Sequence, residues 1–159
     1  MSKSLKRVHK ALLDAGIDAK IKEMPGETRT AQQAADAAGC ALDQIAKSII
    51  FRGEASNTAL LFLTAGGNQV DAAKASAVAG EPLGKADAAL IRSQTGFAIG
   101  GVSPIGHLNP ITAYFDPRLS DFDQVWAAAG TPRHIFPIPP EILLDLTGAT
   151  VADFIQSDT

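Results

Sequence analysis

The chain carries a single cysteine, Cys40, so no internal disulfide framework and no multi-cysteine zinc or iron–sulfur centre can form. No uninterrupted apolar run approaches the roughly 18–20 residues that span a bilayer. The N-terminal MSKSLKRVHK is basic, but no apolar block follows it, so it does not read as a secretory signal. No Gly-x-Gly-x-x-Gly follows a first strand and no Gly-x-x-x-x-Gly-Lys-Ser/Thr occurs, which argues against a nucleotide cofactor. What remains is ordinary in balance: 46% hydrophobic and 19% charged residues in 159 positions, the composition of one soluble globular domain over 1–159, expected in the cytoplasm.

Charge is unevenly placed. Residues 1–30 hold seven Lys/Arg against four Asp/Glu, whereas residues 115–159 hold two against seven, within a total of −3. A phosphate-covered partner meets net repulsion at long range, so specific DNA binding is not expected. A local basic face remains available on the first helix, where Leu5, Val8, Leu12 and Leu13 follow helical spacing and Lys3, Lys6, Arg7 and Lys10 take the other side. The plain alternative is that these cations merely solvate that helix.

Punctuation along the chain predicts a mixed α/β protein. Gly16 closes the first helix, 17–23 alternates as a strand, and Thr30 caps a helix over 31–38 that Gly39 ends. One helical turn at 42–46 leads into strands at 48–52 and 58–64, a hairpin about the turn 53–57. Helices follow at 71–78, with Asp71 at the favourable end, and at 87–93. Strands are read at 111–115, 124–128 and 133–138, with a last helix at 141–146 behind Pro139-Pro140. The regular βαβ rhythm of a doubly wound sheet is missing, and the expected architecture is a mixed sheet with helices around it.

The loop Gly100-Gly101-Val102-Ser103-Pro104-Ile105-Gly106 is the most informative stretch. Adjacent glycines let backbone N–H groups converge on an anion or a carbonyl oxygen; a tight turn is the bland alternative. Ser103 stands in Gly-x-Ser-x-x-Gly, the wrong spacing for a nucleophile elbow, and Pro104 after it has no N–H to offer an oxyanion. Lys47, at the mouth of the apolar run Ile45-Ala46-Lys47-Ser48-Ile49-Ile50-Phe51, either snorkels to solvent or presents its ammonium in a cleft. Ser48 reads as a strand-edge hydroxyl. His9 sits in the basic helix, while His107 and His134 flank Gly- and Pro-rich turns, with no acidic residue at ligand spacing to make a metal site. Cys40, without a CxxC partner, reads as an inert thiol. Gly66-Gly67-Asn68-Gln69 differs from the Gly-Gly-Gln of peptide-release factors by the inserted Asn68 and is read as a turn.

Four segments in order carry a resemblance: Ala46-Lys47-Ser48-Ile49-Ile50-Phe51; residues 68–74; Thr95-Gly96-Phe97-Ala98-Ile99-Gly100-Gly101-Val102-Ser103-Pro104-Ile105-Gly106-His107; and Ala129-Gly130-Thr131-Pro132-Arg133-His134. Together they resemble the YbaK family, also called the prolyl-tRNA synthetase-associated or editing-domain family, from about Leu5 to Phe154. The resemblance implies a mixed sheet curled into a partly open barrel, and a free-standing deacylase that needs no cofactor or metal. Its substrate would be a mischarged tRNA, tRNA(Pro) with a small amino acid, and prolyl-tRNA synthetase a candidate partner. It places Lys47 as the cation of the cleft, Gly100 and Gly101 in the loop that binds the ester, and the segment 130–134 as another wall. Ser48, Val102, Ser103, Pro104, His107, Gly130 and His134 are then substrate-binding candidates, and Lys3, Lys6, Arg7 and Lys10 a tRNA-binding face. Ser48 departs from the Asn that follows the lysine in alanine-clearing relatives. The alternative is a noncatalytic tRNA- or synthetase-binding module with the same fold.

Overall fold

In the computed structural model, residues 2–18, 20–28 and 30–157 are described. The centre is the hairpin of β2 (Ala46–Gly53) and β3 (Ala59–Ala65), preceded by the two-residue β1 (Lys22–Glu23). Their antiparallel register runs from Ala46 opposite Ala65 to Arg52 opposite Ala59. All seven residues of β3 are buried, which is why Ala-Leu-Leu-Phe-Leu-Thr-Ala shows no alternation: both faces are covered. Leu61 and Leu63 enter the main core, while Leu60 and Phe62 enter a second apolar cluster on the opposite face.

Around this strand the five-stranded sheet runs β4-β2-β3-β5-β8, with β4 (Leu83–Lys85) antiparallel to β2. β5 (Thr112–Phe115) is parallel to β3, and β8 (Thr150–Val151) is parallel to β5. A three-stranded sheet β1-β7-β6 contains the hairpin of β6 (Val125–Ala128) and β7 (His134–Ile138). A single parallel bridge, Ile45 to Trp126, joins the start of β2 to β6. The two sheets curl toward one another there without closing, the partly open barrel that the resemblance implied.

Helix ends follow the capping residues. Thr30 Oγ1 accepts the Gln33 N–H at 3.1 Å to start α2 (Ala31–Ala38), and Asp71 Oδ1 accepts from Ala73 and Lys74 to start α3 (Ala72–Ala79). Asp87 caps α4 (Ala88–Thr95) through Leu90, and Pro140 opens α5 (Pro140–Thr147). The first helix, α1 (Lys3–Asp14), buries Leu5, Val8 and Leu12 as its spacing predicted, whereas Leu13, expected on the same face, is exposed. The strand expected over 17–23 narrows to β1, with Ala19 outside the described residues. β4, β8 and the 3-10 turn Pro117–Asp121 were not anticipated; two- and three-residue strands are too short to show a period.

Phe62 is the hub of the second cluster. It stacks on Tyr114 at 4.9 Å and meets Phe51 and Phe154 edge-on at 5.6 and 5.0 Å. Phe62→Ala is expected to cost about 3–5 kcal/mol, from lost burial and the cavity left behind. Urea denaturation checks this; a change below about 1 kcal/mol would show that the aromatic cluster is not a packing centre.

Candidate active site

Lys47 is the second residue of β2, beside the bridge that joins the two sheets. Alternation turns Ala46 into the core and Lys47 to the other face. The ammonium Nζ donates to the main-chain oxygen of Asn68 at 2.6 Å. Burial pushes its pKa down, while the carboxylates of Asp116 and Asp43 oppose that fall. A lysine on the lip of an apolar strand is thus half-buried in a cleft rather than extended into solvent.

The cleft measures about 550 Å³, and Lys47, Ser48, Gly100 and Val102 all line it. Trp126, Pro132 and Ile135 form a second side, and Glu27 and Thr28 stand on the rim. The rim is tied down by the Thr28 N–H, which donates to the Pro132 oxygen at 3.0 Å, and by the Met24 N–H, which donates to that of Arg133 at 2.7 Å. Ser48 Oγ is buried without a hydrogen-bond partner. Ile99 is 60% exposed on the glycine loop at the cleft edge.

The loop 100–106 owes its course to its glycines. Gly100 has φ +92°, a conformation that side chains other than glycine's rarely adopt. Gly101 lies so close to the turn after β6 that a Cβ would sit 2.8 Å from Thr131 Cα. The Gly101 N–H closes a turn onto the Ala98 oxygen at 3.1 Å. The N–H groups of Gly100 and Val102 make no hydrogen bond among the described residues, and both residues face the cleft.

The remaining candidates divide. Ser103 is fully buried; its Oγ accepts the Ile105 N–H at 3.3 Å, and its oxygen meets His107 Nε2 at 2.7 Å. Pro104 and His107 line a different cavity of about 470 Å³, between α1, residues 104–111 and the end of α5. Burial lowers the His107 pKa, so at neutral pH the ring donates its Nε2–H to Ser103 as a neutral imidazole. Gly130 backs onto α1, where a Cβ would lie 2.7 Å from the Ser4 oxygen. His134 Nδ1 and Thr131 Oγ1 are hydrogen-bonded at 2.6 Å, and the same oxygen accepts the Arg133 N–H at 3.1 Å. His134 thereby holds the turn whose Pro132 lines the cleft.

On α1, Lys3 and Lys6 are exposed and Lys10 pairs with Asp14 at 2.7 Å. Arg7 is committed to the fold: Nη2 donates to the Gly96 oxygen at 2.6 Å, Nε to the Gly106 oxygen at 3.2 Å, and the guanidinium lies 4.8 Å from the Phe97 ring centre. Asn68, Asp116, Trp126, Glu27 and Thr28 were missed as site residues, because each partner lies far away in sequence. Among the described residues, no three His, Cys, Asp or Glu side chains gather where a metal ion could be held.

Comparison with known proteins gives one consistent result. The model of the aminoacyl-tRNA editing domain matches residues 25–146. The uncharacterized protein YwhH of Bacillus subtilis (strain 168) is 30% identical over 148 residues, covering 93% of this chain and 94% of its own. A crystal structure described as "a putative trans-editing enzyme for prolyl tRNA synthetase" is 47% identical with a TM-score of 0.91 and covers 99% of both chains. A hypothetical protein of known structure is 25% identical with a TM-score of 0.85, covering 94% of this chain and 99% of its own.

The Arg7 contacts generate a stability test. Arg7→Ala is expected to cost about 1.5–3 kcal/mol, because two buried-side carbonyls lose a charged donor. Lys6→Ala, one residue away and exposed, should stay within about 0.5 kcal/mol of the parent. Equal urea midpoints for the two variants would contradict the assignment of Arg7 to the fold.

Proposed function

The chain belongs to the aminoacyl-tRNA editing domain family, and from that premise we propose that it hydrolyses the ester of mischarged tRNA in trans. The substrate we assign is tRNA(Pro) bearing a small amino acid: Ala, Cys, Ser, Thr or 2-aminobutyrate. One observation carries the reading: a half-buried lysine and two glycine-loop residues, Gly100 and Val102, whose N–H groups have no hydrogen-bond partner among the described residues, line the same cleft. The relative described as a trans-editing enzyme for prolyl-tRNA synthetase supports the choice of tRNA.

An aminoacyl ester is already activated, so water needs placement and the tetrahedral oxyanion needs donors. The Gly100 and Val102 N–H groups are the donors on hand, and a preorganised one is worth about 2.7–4 kcal/mol. Lys47 has three N–H bonds, of which Asn68 takes one, and the others face an incoming carbonyl or phosphate oxygen. Water adds to the ester carbon, the carbon–oxygen bond to the ribose breaks, and the ribose oxygen leaves as a hydroxyl with the proton water has lost. The resemblance assigns that transfer to the substrate's own ribose hydroxyl, or to the substrate's side-chain thiol in cysteine-clearing members. Ser103, buried with its hydroxyl turned to Ile105, takes no part as a nucleophile.

Exclusion of proline follows from size. A synthetase pocket built for proline gains only about 1–3 kcal/mol against a residue lacking a methylene, so a second cavity that admits only smaller groups completes the discrimination. Prolyl-tRNA synthetase is accordingly the partner whose errors this site corrects. With so few basic residues free on α1, tRNA affinity is expected to be weak and only shallowly salt-dependent.

Deacylation of tRNA(Pro) charged separately with Ala, Cys, Ser, Thr and 2-aminobutyrate, with Pro-tRNA as control, tests the reading. At least one small aminoacyl ester should be cleared and the prolyl ester spared. Lys47→Ala and Gly101→Val should lose about 10²-fold or more in turnover while remaining folded by circular dichroism. Wild-type turnover in both would refute the site. Because the Lys47 pKa lies below the usual lysine value, activity that needs the ammonium falls as pH rises through that lowered value and is flat below it. A rate, corrected for spontaneous ester hydrolysis, that never declines toward alkaline pH would count against the charged form.

A further inference from the structure

We propose that Asp116 is a positioning residue for Lys47: a buried carboxylate that fixes the loop 66–68 so that the Asn68 carbonyl oxygen pins the ammonium in the cleft. Its consequence for turnover rests on the deacylase reading above; its consequence for the lysine does not.

Asp116 is 1% exposed and forms no ion pair among the described residues. A carboxylate in that state is costly unless its oxygens are fully hydrogen-bonded. Oδ2 accepts the Ala65 N–H at 3.0 Å and the Asn68 side-chain amide at 2.8 Å, and Oδ1 accepts the Arg118 N–H at 3.0 Å. Its own N–H donates to the Leu63 oxygen at 2.9 Å, so the residue is fixed where β5 leaves β3. Capping the turn Pro117–Asp121 needs only the Arg118 contact. The reach of Oδ2 to the end of β3 and to Asn68 is in excess of that need.

A second carboxylate holds the preceding residue of the same loop. Asp43 Oδ1 accepts the Gly67 N–H at 2.8 Å, and its Oδ2 accepts from Arg118 Nε at 3.0 Å. The glycine pair makes this close approach available: a Cβ on Gly66 would meet the Leu42 carbonyl, and one on Gly67 would meet Asp43 Oδ1. Two consecutive residues of a short loop are thus clamped by acids from two separate elements, and the loop reaches the cleft through the hydrogen bond of the Asn68 oxygen to Lys47.

The arrangement answers a specific physical problem. A lysine stem of four methylenes wanders unless its head is tethered. A direct carboxylate tether would cancel the charge offered to a ligand, whereas a neutral carbonyl orients the ammonium and leaves its charge intact. Acting at one remove, Asp116 still lends a favourable field that opposes the burial penalty. The charged groups around Lys47 are Asp116 and Asp43 beneath it, Arg118 bonded to Asp43, and Glu27 at the cleft rim.

The test uses the full chain. Asp116→Asn is nearly isosteric, and circular dichroism reports whether it stays folded. The Lys47 titration, followed by the ε-carbon NMR signal and assigned through Lys47→Arg, is expected to move down in Asp116→Asn. The alkaline limb of single-turnover deacylation should move with it, kcat falling roughly tenfold and KM staying within about twofold. Asn68→Ala keeps the pinning carbonyl but removes the amide that Asp116 holds; it should lower kcat by a factor of roughly three to ten with KM unchanged. An unmoved Lys47 titration in folded Asp116→Asn overturns the proposal, as does full wild-type kcat in Asn68→Ala. If the parent protein clears no aminoacyl ester, the deacylase reading fails, and the lysine titration alone then decides the role of Asp116.

Discussion

The close approach of Gly101 to the Thr131 backbone is the contact on which the cleft depends. It brings a loop that follows α4 against a turn that joins β6 to β7, two segments thirty residues apart, with no room for a side chain between them. α1 backs both partners: its Ser4 oxygen lies under Gly130 and its Arg7 oxygen under Gly106, while the Arg7 guanidinium ties Gly96 to Gly106. A loop of this kind is ordinarily mobile. Here Gly101 and Gly106 pack directly against backbone of the facing turn and of α1, and Gly130 in that turn packs against α1 in the same way.

The opposite wall is organised by electrostatics rather than by close packing. Lys47 reaches the cleft from a strand whose other face is core, so its ammonium carries a desolvation penalty that a surface lysine escapes. The penalty is opposed only in part, by two carboxylates that do not touch the ammonium. The acidic bias of the C-terminal third gains a local meaning from this: Asp116 is buried in the support of the site, and Asp121 pairs with Arg118, which holds Asp43 in turn. Not every negative charge in that third is idle repulsion toward RNA.

Most of the scaffold was legible because its signals are local. Thr30, Asp71 and Asp87 before apolar-periodic stretches, and Gly39 and Gly96 after them, mark helix ends through bonds spanning only three or four residues. The hairpins at 53–57 and 130–132 are legible for the same reason. Lys47 and the glycine loop could be named as candidates from composition and motif, yet whether the lysine faced solvent or a cleft depended on the bridge from Ile45 to Trp126, eighty-one positions away. Asn68 was read as a plain turn residue, since nothing near it in the chain announces Asp116 or Asp43. Arg7 stood among cations of a helix face because spacing cannot distinguish an exposed cation from one folded back over Phe97.

The motif from residue 100 to residue 107 has two halves with different tasks. Gly100 and Val102 line the cleft, with N–H groups that make no hydrogen bond among the described residues, whereas Ser103 to His107 turns inward and fastens the loop. Ser103 serves through both its hydroxyl and its carbonyl, and His107, kept neutral by burial, donates to that carbonyl and packs its ring edge-on to Phe97. A charged imidazole at that position would sit beside Arg7 at a cost. Ser103 and His107, the polar side chains of the motif, are therefore the ones that fasten the loop, while Gly100 and Val102 line the cleft. The division leaves each polar side chain of the motif engaged in holding the loop, so that the backbone facing the cleft is positioned by its neighbours rather than by any contact of its own.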